Sequence, residues 1–481
     1  MGAVSLPRQP MTTDFIQNAN WTVVNISNND NEDDQKAQLY LERLVADVGS
    51  LMEGNKPGDP SYENGLLQIV EQFDQEQGWH YLLQLFRHSW WTDPRTLQQI
   101  IPASKVSIEI GSLSLDLDEI QLILNQGRIL ELTLYRLQSP TLREIEATPG
   151  WCAAKRLLIS KLDHEFGDLR IEVLLWRFRK CDAWTSDREK LYVLWDISSH
   201  SQPVKNLLRK ALVEMANNPL LYFWITRTVL ETSKSLEILS IFSAYSNRLS
   251  ETGTWACSLS ATPGRYDRCP LIARGSFGAE DRPGSSFRRP FKADGDCDRV
   301  VLLPIYDPRT LTIQGLMFDT VGEMFIPLGS VTREQLVELC TNLSTVLRRL
   351  WDTKSDEEIM EIKWRTLLID EPCGITTEEL EKGFLGIFTN YTYHLPHWNG
   401  RRIIITAGGR LGLAFDEVQP GDFIVIMPGG SVPYVLRPLP GGTGQWSFIG
   451  ECYVYGCMDG EIVESASQSA QEWWTDTFDI V

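Results

Sequence analysis

The chain has 481 residues, 43% of them hydrophobic, which suits a globular protein of about three ordinary domains. Its formal net charge of −19 argues against binding to nucleic acid or anionic lipid, because affinity for those surfaces comes from Lys and Arg. No apolar run reaches the roughly 20 residues of a membrane helix, and the amino terminus lacks the apolar core of a signal peptide. We therefore expect a cytoplasmic protein that binds neither nucleic acid nor membrane.

The amino-terminal part alternates strands with amphipathic helices. A short apolar run at residues 22–26 predicts a strand, and the acidic stretch at 28–34 places carboxylates beside the positive end of the next helix dipole. That helix carries an apolar stripe at helical spacing and ends before Gly54. A second strand is predicted at residues 106–110, before a helix that opens near Asp116 or Asp118.

Helices are predicted to dominate the middle of the chain. Apolar periodicity places them at residues 151–161, 171–180, 204–216 and 220–231. Another helix starts near residue 186, where Arg188 and Lys190 oppose the dipole of the first turn, so we expect them to pair with carboxylates.

The next segment, residues 251–298, is rich in Gly, Ser, Arg and Asp and has few large apolar residues. Such a composition predicts a long flexible loop. A strand pair at residues 300–305 and 311–322 and an amphipathic helix at 332–350 are predicted after it.

Residues 401–464 carry the pattern of a small antiparallel β-unit, because short β-branched and aromatic runs alternate with Gly and Pro. Gly and Pro suit the turns, where the backbone needs a positive or a preset φ. The predicted strands lie at residues 403–406, 411–415, 422–427, 434–437 and 446–455. Five apolar strands need a covering layer, for which the upstream helices are the candidates.

Three motif blocks occur in order in this unit: Pro420-Gly421-Asp422, the run at residues 429–438, and the run at residues 450–461. Together they resemble the carboxy-terminal segment of the fungal heterokaryon-incompatibility (HET) domain proteins. Upstream, residues 79–91 resemble the family's Trp-x-x-Leu-x-x-Leu-Phe-x-Arg-Pro-Trp-Trp block, and residues 177–194 resemble its Arg-Phe-Arg and Asp-Pro-Arg-Asp-Lys blocks.

The resemblance is incomplete at the amino-terminal end. The family's first blocks, a Ser-Tyr-x-Trp-Gly strand and a Trp-Ile-Asp-Ala-x-Cys-Ile-Asn-Gln strand, have no counterpart before Met11. Asp93, Arg95 and Gln99 stand where the family has Arg, Trp and Glu. The resemblance therefore implies a degenerate and incomplete HET domain, in which any salt bridge or carboxylate chemistry at these positions is lost or rewired.

Charged and hydroxyl-bearing residues inside the apolar β-unit form the most function-like group in the sequence. Charged side chains within such strands must be paired or must line a cleft. The candidates are Arg437, Glu451, Glu461, Tyr434 and Tyr453, with Arg188 as a further ion-pair candidate. Both a structural ion pair and a cleft remain open as interpretations.

The motifs GxGxxG, GxxxxGK[ST], GxSxG and HExxH do not occur in the sequence, and we predict no catalytic residue, no cofactor and no metal. The Asp-x-Asp-x-Asp run at 294–298 lacks the Gly and Glu of a calcium loop, and a proline separates the two histidines at 394–397. Cys452 and Cys457 are expected to point to opposite faces if their strand continues through both.

The predicted fold class is α+β, with a degenerate α/β remnant at the amino terminus, a helical middle and a small antiparallel β-unit at the carboxy terminus. The predicted parts are a degenerate, incomplete HET domain at residues 1–130, a helical region at 131–250, a flexible loop at 251–298, and an α+β region at 299–481 that contains the β-unit at 401–464.

The resemblance implies a HET-like protein of fungal self/non-self recognition or regulated cell death that contacts a protein partner without catalysis. The alternative is an NAD-cleaving or other small-molecule enzyme with a site in the carboxy-terminal region, for example in a fungal secondary-metabolite pathway. The family's amino-terminal fold is thought to be similar to the TIR domain, some members of which cleave NAD. The missing blocks would hold much of that site, so we favour the interpretation without catalysis. A regulatory partner that keeps only the scaffold is a third possibility, and a gene model that begins too late would give the same pattern.

Overall fold

The computed structural model describes most of the chain. The described residues are 22–25, 32–55, 59–76, 78–110, 113–117, 144, 148–167, 169–179, 186–214, 220–233, 235–243, 254–256, 270–271, 291–295, 297, 300, 302–303, 307–328, 333–370, 398–467 and 474–481. The chain divides into two compact units, residues 1–205 with 275–287 and residues 206–274 with 288–481. The four-part division predicted from the sequence stays a prediction.

The first unit combines a three-stranded sheet with helices. In the sheet, β1 (Thr22–Asn25) runs parallel to β2 (Val106–Ile110), which pairs antiparallel with β3 (Leu113–Asp116). The predicted strands at 22–26 and 106–110 are therefore confirmed, whereas β3 was not predicted. The helices are α1 (Glu32–Gly54), α2 (Pro60–Gln75), α3 (Gly78–Arg87), α4 (Pro94–Ile100), α5 (Pro149–Glu165), α6 (Ile171–Arg177) and α7 (Asp187–Ile197). The next helix, α8 (Gln202–Glu214), runs past the division between the units.

Aromatic side chains of the tryptophan-rich block form part of the core of the first unit. Phe86 packs edge-on against Trp151 with ring centroids 4.7 Å apart, and Trp91 lies 5.4 Å from the same ring. Helix α5 approaches α3 closely, since a Cβ added at Gly150 would lie 1.8 Å from the carbonyl oxygen of Phe86. The resemblance block at residues 79–91 thus contributes buried packing, including the fully buried Trp79.

The second unit combines helices with a seven-stranded sheet. Its helices beyond α8 are α9 (Leu221–Ser233), α10 (Glu237–Ser243), α11 (Arg333–Leu350), α12 (Asp356–Leu367) and the short α13 (Glu461–Ser467), of which α11 matches the predicted amphipathic helix. Its strands are β4 (Leu311–Pro327), β5 (Arg401–Thr406), β6 (Leu411–Phe415), β7 (Phe423–Ile426), β8 (Tyr434–Pro438), β9 (Gln445–Val454) and β10 (Asp476–Ile480). The predicted α+β class is confirmed.

Six of the strands close into an antiparallel barrel. The order is β4–β5–β6–β9–β8–β7, and β7 returns to β4. Strand β4 closes the ring because its residues 316–320 pair with β7 while its residues 321–327 pair with β5. Strand β10 lies against the earlier residues 311–315 of β4 and also pairs in parallel with the start of β9. The five predicted strands are β5 to β9, but the sheet extends beyond residues 401–464 at both ends.

The barrel interior is apolar and filled by side chains. One buried cluster receives a residue from every strand of the ring, which places it inside. Its members are Val321, Ile404, Ala414, Val418, Ile424, Val435, Ile449, Cys452, Val454 and Cys457. Cys452 and Cys457 therefore lie in the same core, and the condition for opposite faces, a strand that continues through both residues, is not met. The strand ends at Val454, so the alternation of side chains does not reach Cys457.

The predicted turns also agree with the structure. Gly409, Gly421, Gly429 and Gly441 lie between the barrel strands and adopt positive φ. The helical cover predicted for the β-unit is present on part of its outer face, where α10 lies against β9 and α12 lies against β6. Among the described residues, we find no helix with the length and apolar character that a membrane span requires.

Candidate functional site

A fully buried ion pair lies in the barrel wall between β5 and β9. The guanidinium of Arg401 contacts Glu451 Oε1, and both side chains have 0% exposure. Arg401 also lies over the ring of Phe415, its cross-strand neighbour on β6, at 4.0 Å from the ring centroid. The backbone N–H of Leu271 donates to the same Glu451 oxygen at 2.5 Å. Glu451 thus links two barrel strands to a segment that precedes the barrel in sequence.

Tyr434 stands directly opposite Glu451 in the pairing of β8 with β9. Its hydroxyl lies 3.3 Å from Ser240 Oγ and 3.4 Å from the carbonyl oxygen of Leu236, so α10 and the residue before it contact this part of the barrel. Asp294, also buried, accepts a hydrogen bond from the N–H of Gly429 at 2.9 Å. Three separate segments that precede β4 therefore reach the barrel through buried polar groups.

Burial controls the ionisation of this group of residues. Desolvation raises the pKa of Glu451, and the charge of Arg401 and the N–H of Leu271 oppose that rise. Burial likewise raises the pKa of Tyr434, with further increases from the charges of Glu451, Glu237 and Asp294. Tyr434 is therefore a neutral hydroxyl at physiological pH and cannot serve as a phenolate base.

Tyr453 joins the barrel to the end of α12. Its hydroxyl donates to Asp370 Oδ2 at 2.6 Å, and the other oxygen of Asp370 accepts from Arg365 Nε at 2.5 Å. Ile369 and Asp370 have φ of 54° and 56°, an uncommon conformation for residues other than glycine and a strained one for a β-branched side chain. The two contacts of Asp370 help to hold this backbone in place.

Arg437 braces a barrel turn. Its guanidinium binds Asp422 in a bidentate manner, with distances of 2.7 Å and 2.8 Å, and also donates to the carbonyl oxygen of Glu417. Asp422 accepts a further hydrogen bond from the N–H of Gln419 within the turn. The Asp422 side chain raises the pKa of Arg437, as expected for a structural ion pair.

The two remaining candidates lie apart from these contacts. Glu461 is exposed at the start of α13, where its carboxylate accepts from the N–H of Asp459 at 2.8 Å. Arg188 is exposed on α7 in the first unit, and the buried Lys190 near it donates to the carbonyl oxygen of Arg179 at 3.4 Å. The structure therefore brings together Glu451 and Tyr434, and it does not place Glu461 or Arg188 in a shared site with them.

The degenerate positions of the tryptophan-rich block have been rewired into a helix start. Asp93 caps α4 by accepting the N–H of Arg95 at 2.9 Å, and its carboxylate also binds the Arg95 guanidinium. These contacts to Arg95 lower the pKa of Asp93 below its ordinary value. Gln99 lies half-buried in the last turn of the same helix.

The chemistry open to the barrel group is limited by access. Arg401, Glu451, Tyr434 and Tyr453 each have 0% exposure, so a substrate could reach them only after the covering segments moved. In the described part of the chain, no cluster of three or more His, Cys, Asp or Glu side chains could hold a metal ion. The histidines at 394 and 397 and the acidic residues at 296 and 298 fall outside the described residues.

Sequence reasoning identified one side of each ion pair and missed the other. Arg401 begins its strand and Asp422 directly precedes one, and both looked like ordinary flanking charges. Ser240, which contacts Tyr434, and Asp370, which accepts a hydrogen bond from Tyr453, belong to helical segments that are distant in sequence. Asp422 was visible within the Pro420-Gly421-Asp422 block, which is the one signal that could have revealed its role.

Comparisons with known proteins agree with this architecture. The family described as the Het-6 beta-barrel domain matches residues 377–472, which include β5 to β9 and α13. A curated relative, heterokaryon incompatibility protein 6, OR allele, of Neurospora crassa, is 40% identical over 79 residues. That match covers 16% of this chain and only 12% of the relative. No solved structure matches the chain significantly. The resemblance to the heterokaryon-incompatibility family is thereby confirmed for the carboxy-terminal part.

Proposed function

We propose that this chain, which is related to the heterokaryon-incompatibility proteins through its carboxy-terminal barrel, acts in fungal self/non-self recognition or the regulated cell death linked to it. In this proposal it contacts a protein partner and performs no catalysis. The observation that carries the proposal is the match of the Het-6 beta-barrel domain to residues 377–472, together with a relative named for heterokaryon incompatibility. The match covers only 12% of that relative, so the role of the relative is proposed for this chain and is not established by the match.

The construction of the barrel supports a contact role. Side chains from all six strands fill its interior. The candidate charged residues Glu451 and Arg437 are held in ion pairs with Arg401 and Asp422, respectively. A rigid, filled barrel is suited to presenting its loops to another protein, as in many binding scaffolds.

A cytoplasmic location is part of the same proposal. Cys452 and Cys457, both buried in the barrel core, are free thiols. Unpaired cysteines are typical of proteins that remain in a reducing compartment. Imaging of a fluorescent fusion in fungal hyphae tests the location directly.

The recognition role is tested by expression in a fungus that forms heterokaryons. The full chain is introduced into one of two compatible strains, and death of the fused cells is scored with a vital dye. We expect the chain to change the fraction of fused cells that die. A Glu451→Gln variant, which breaks the buried ion pair, should lose this effect, whereas the exposed Glu461→Gln should keep it. Equal survival with and without the chain, across a panel of partner strains, would contradict the proposal.

The enzymatic alternative is tested by incubating the purified chain with NAD and following nicotinamide release. Glycosidic hydrolysis needs an accessible, positioned carboxylate, and Glu451 has 0% exposure and is bound to Arg401. We therefore expect no release above the blank. Turnover above the blank would contradict the proposal, and turnover that disappears in a Glu451→Gln variant shown to be folded would place an active site in the barrel.

A further inference from the structure

His200 lies in a polar junction of the first unit that the proposed function does not use. Its ring stacks on Trp195 with centroids 4.8 Å apart and an interplanar angle of 17°. Its Nδ1 is 3.1 Å from Ser198 Oγ, and the Ser198 hydroxyl donates to the carbonyl oxygen of Trp195 at 2.7 Å. Since the serine proton is already used, His200 donates from Nδ1, which fixes the neutral tautomer with Nδ1 protonated.

The first turn of α8 is bound to the end of α7 near His200. Lys205, which is 9% exposed, donates from Nζ to the carbonyl oxygen of Asp196 in α7 at 2.6 Å. Leu169 and Ser199 exchange two hydrogen bonds of 2.7 Å and 2.8 Å, which hold the segment before α6 against the α7–α8 connection. A cation, an imidazole and three chain segments thus share one half-buried junction.

The charges that face the histidines are mostly positive. His200 faces Lys205 of α8 and Arg170 of the segment before α6. On α5, His164 faces Lys205 and also Lys161, with the Glu165 carboxylate as the opposing charge. Lys161 is itself bound to Glu165 at 3.0 Å, which weakens the help that this carboxylate gives to a protonated His164.

Burial and these cations disfavour a charged imidazole. Burial first, then Lys205 and Arg170, lower the pKa of His200 to about 4 from an ordinary value of 6.5. Burial, Lys205 and Lys161 also lower the pKa of His164. Both rings are therefore neutral at pH 7, and a proton on His200 would place a second cation beside Lys205.

We propose that this junction is an acid-sensitive latch, which holds the first turn of α8 against α7 at neutral pH and releases it when His200 takes up a proton. An open state in which His200 regains its ordinary pKa binds more protons than the closed state between pH 6.5 and 4. The closed state is thus fully favoured above pH 6.5 and loses stability as the pH falls towards 4. Lys205 is the last residue of the first unit and α8 continues into the second, so the latch acts on the segment that links them in sequence.

The latch is tested by hydrogen exchange of the full chain at pH 7 and pH 5, corrected for the intrinsic rates of the amides. We expect peptides within residues 196–214 to open roughly tenfold more often at pH 5, with the partial exposure of His200 keeping the change below the full linkage limit. His200→Gln cannot take up the proton and should remove most of the acid effect, since only His164 remains to take up a proton beside Lys205. His80→Gln, at an exposed histidine of α3, is the matched control and should keep it.

A direct titration of His200 tests the proposal even if the His200→Gln variant fails to fold. The ring of His200 in the unmodified chain, followed by NMR with labelled histidine, should titrate well below pH 6.5. Lys205→Gln removes a facing cation and should move that titration towards 6.5. The proposal is overturned if His200 titrates at or above its ordinary pKa, if corrected exchange at 196–214 is equal at the two pH values, or if a folded His200→Gln keeps the acid effect.

Discussion

The buried pair of Arg401 and Glu451 shows how single residues determine the architecture of the barrel. Two charges leave water completely at this position, and their desolvation is offset only while both partners and their hydrogen bonds remain. The pair therefore acts as a specific link between β5 and β9, and the N–H of Leu271 extends that link to an upstream segment.

At the residue scale, we predict that Glu451→Gln destabilises the second unit by about 3–5 kcal/mol, because it leaves the Arg401 charge buried without a counter-ion. Urea unfolding followed by tryptophan fluorescence measures the loss. The control Glu461→Gln, at an exposed helix start, should leave the unfolding curve unchanged. Removing both charges with Arg401→Met and Glu451→Leu should cost less than the sum of the single variants. Additive losses would show that the two residues do not function as a pair.

The sequence predicted that charges within these strands must be paired or line a cleft, and it named Glu451 and Arg437. It could not name Arg401 as the partner of Glu451, because the two lie 50 positions apart and meet only when β6 pairs with both β5 and β9. The Asp422 partner of Arg437 is only 15 positions away and belongs to a quoted motif block, so it was within reach. Separation along the chain decided which contacts were predictable.

At the element scale, the strands β5 to β9 were predicted within one or two residues, since short apolar runs between Gly and Pro turns are a local signal. Closure of the barrel was not predicted. It depends on β4, a strand of 17 residues that pairs in turn with β10, β7 and β5. Register shifts along β4 allow it to pair first with β7 and then with β5, and no local pattern in the sequence predicts these shifts.

We expect the amides of β4 to exchange as slowly as those of β6, because opening β4 breaks the ring and exposes the apolar interior. Native-state hydrogen exchange with peptides covering residues 311–327 and 411–415 compares them directly. Strand β4 lies outside the residues matched by the Het-6 barrel family, so slow exchange would make it part of the same cooperative unit. Exchange in β4 that is faster by orders of magnitude would mean that β5 to β9 form the stable core without it.

A second prediction at this scale concerns the contact of α5 with α3. Gly150→Ala should destabilise the first unit by about 3 kcal/mol, because the alanine Cβ would lie 1.8 Å from the Phe86 carbonyl oxygen and the two helices would have to separate. Gly49→Ala in α1 is the matched control. No atom lies within 4 Å of a Cβ there, so alanine should stabilise the helix by up to about 1 kcal/mol. Thermal unfolding of the two variants should move in opposite directions, and equal shifts would contradict the close approach.

At the scale of the whole molecule, the sequence located the helical and the β-rich parts, and it interpreted residues 251–298 as a flexible loop on composition alone. The described residues within that stretch are firmly held. Trp255 is buried against Phe223 and donates from its indole N–H to the carbonyl oxygen of Arg309, and Phe291 packs edge-on against Tyr453. Sparse anchors of this kind are not detected from composition, because a few aromatic residues hardly change the average over the whole stretch.

These anchors lead to a prediction about a nicked chain. The composition of residues 251–298 predicts protease sensitivity, and cleavage within the part at 272–290 should leave two fragments that remain together in native buffer. The first fragment keeps hydrogen bonds to the second through Leu236 to Gly429 at 2.8 Å, Trp255 to Arg309 at 2.8 Å, and Leu271 to Glu451 at 2.5 Å.

Limited proteolysis followed by size-exclusion chromatography tests this outcome. The nicked protein should elute as one species in native buffer and separate only in denaturant, because helices α9 and α10 and the barrel belong to the same compact unit. If the two fragments separate without denaturant, the upstream segments are not part of the barrel's folded unit. If residues 272–290 resist protease while other loops are cut, the prediction of a flexible loop from composition is wrong.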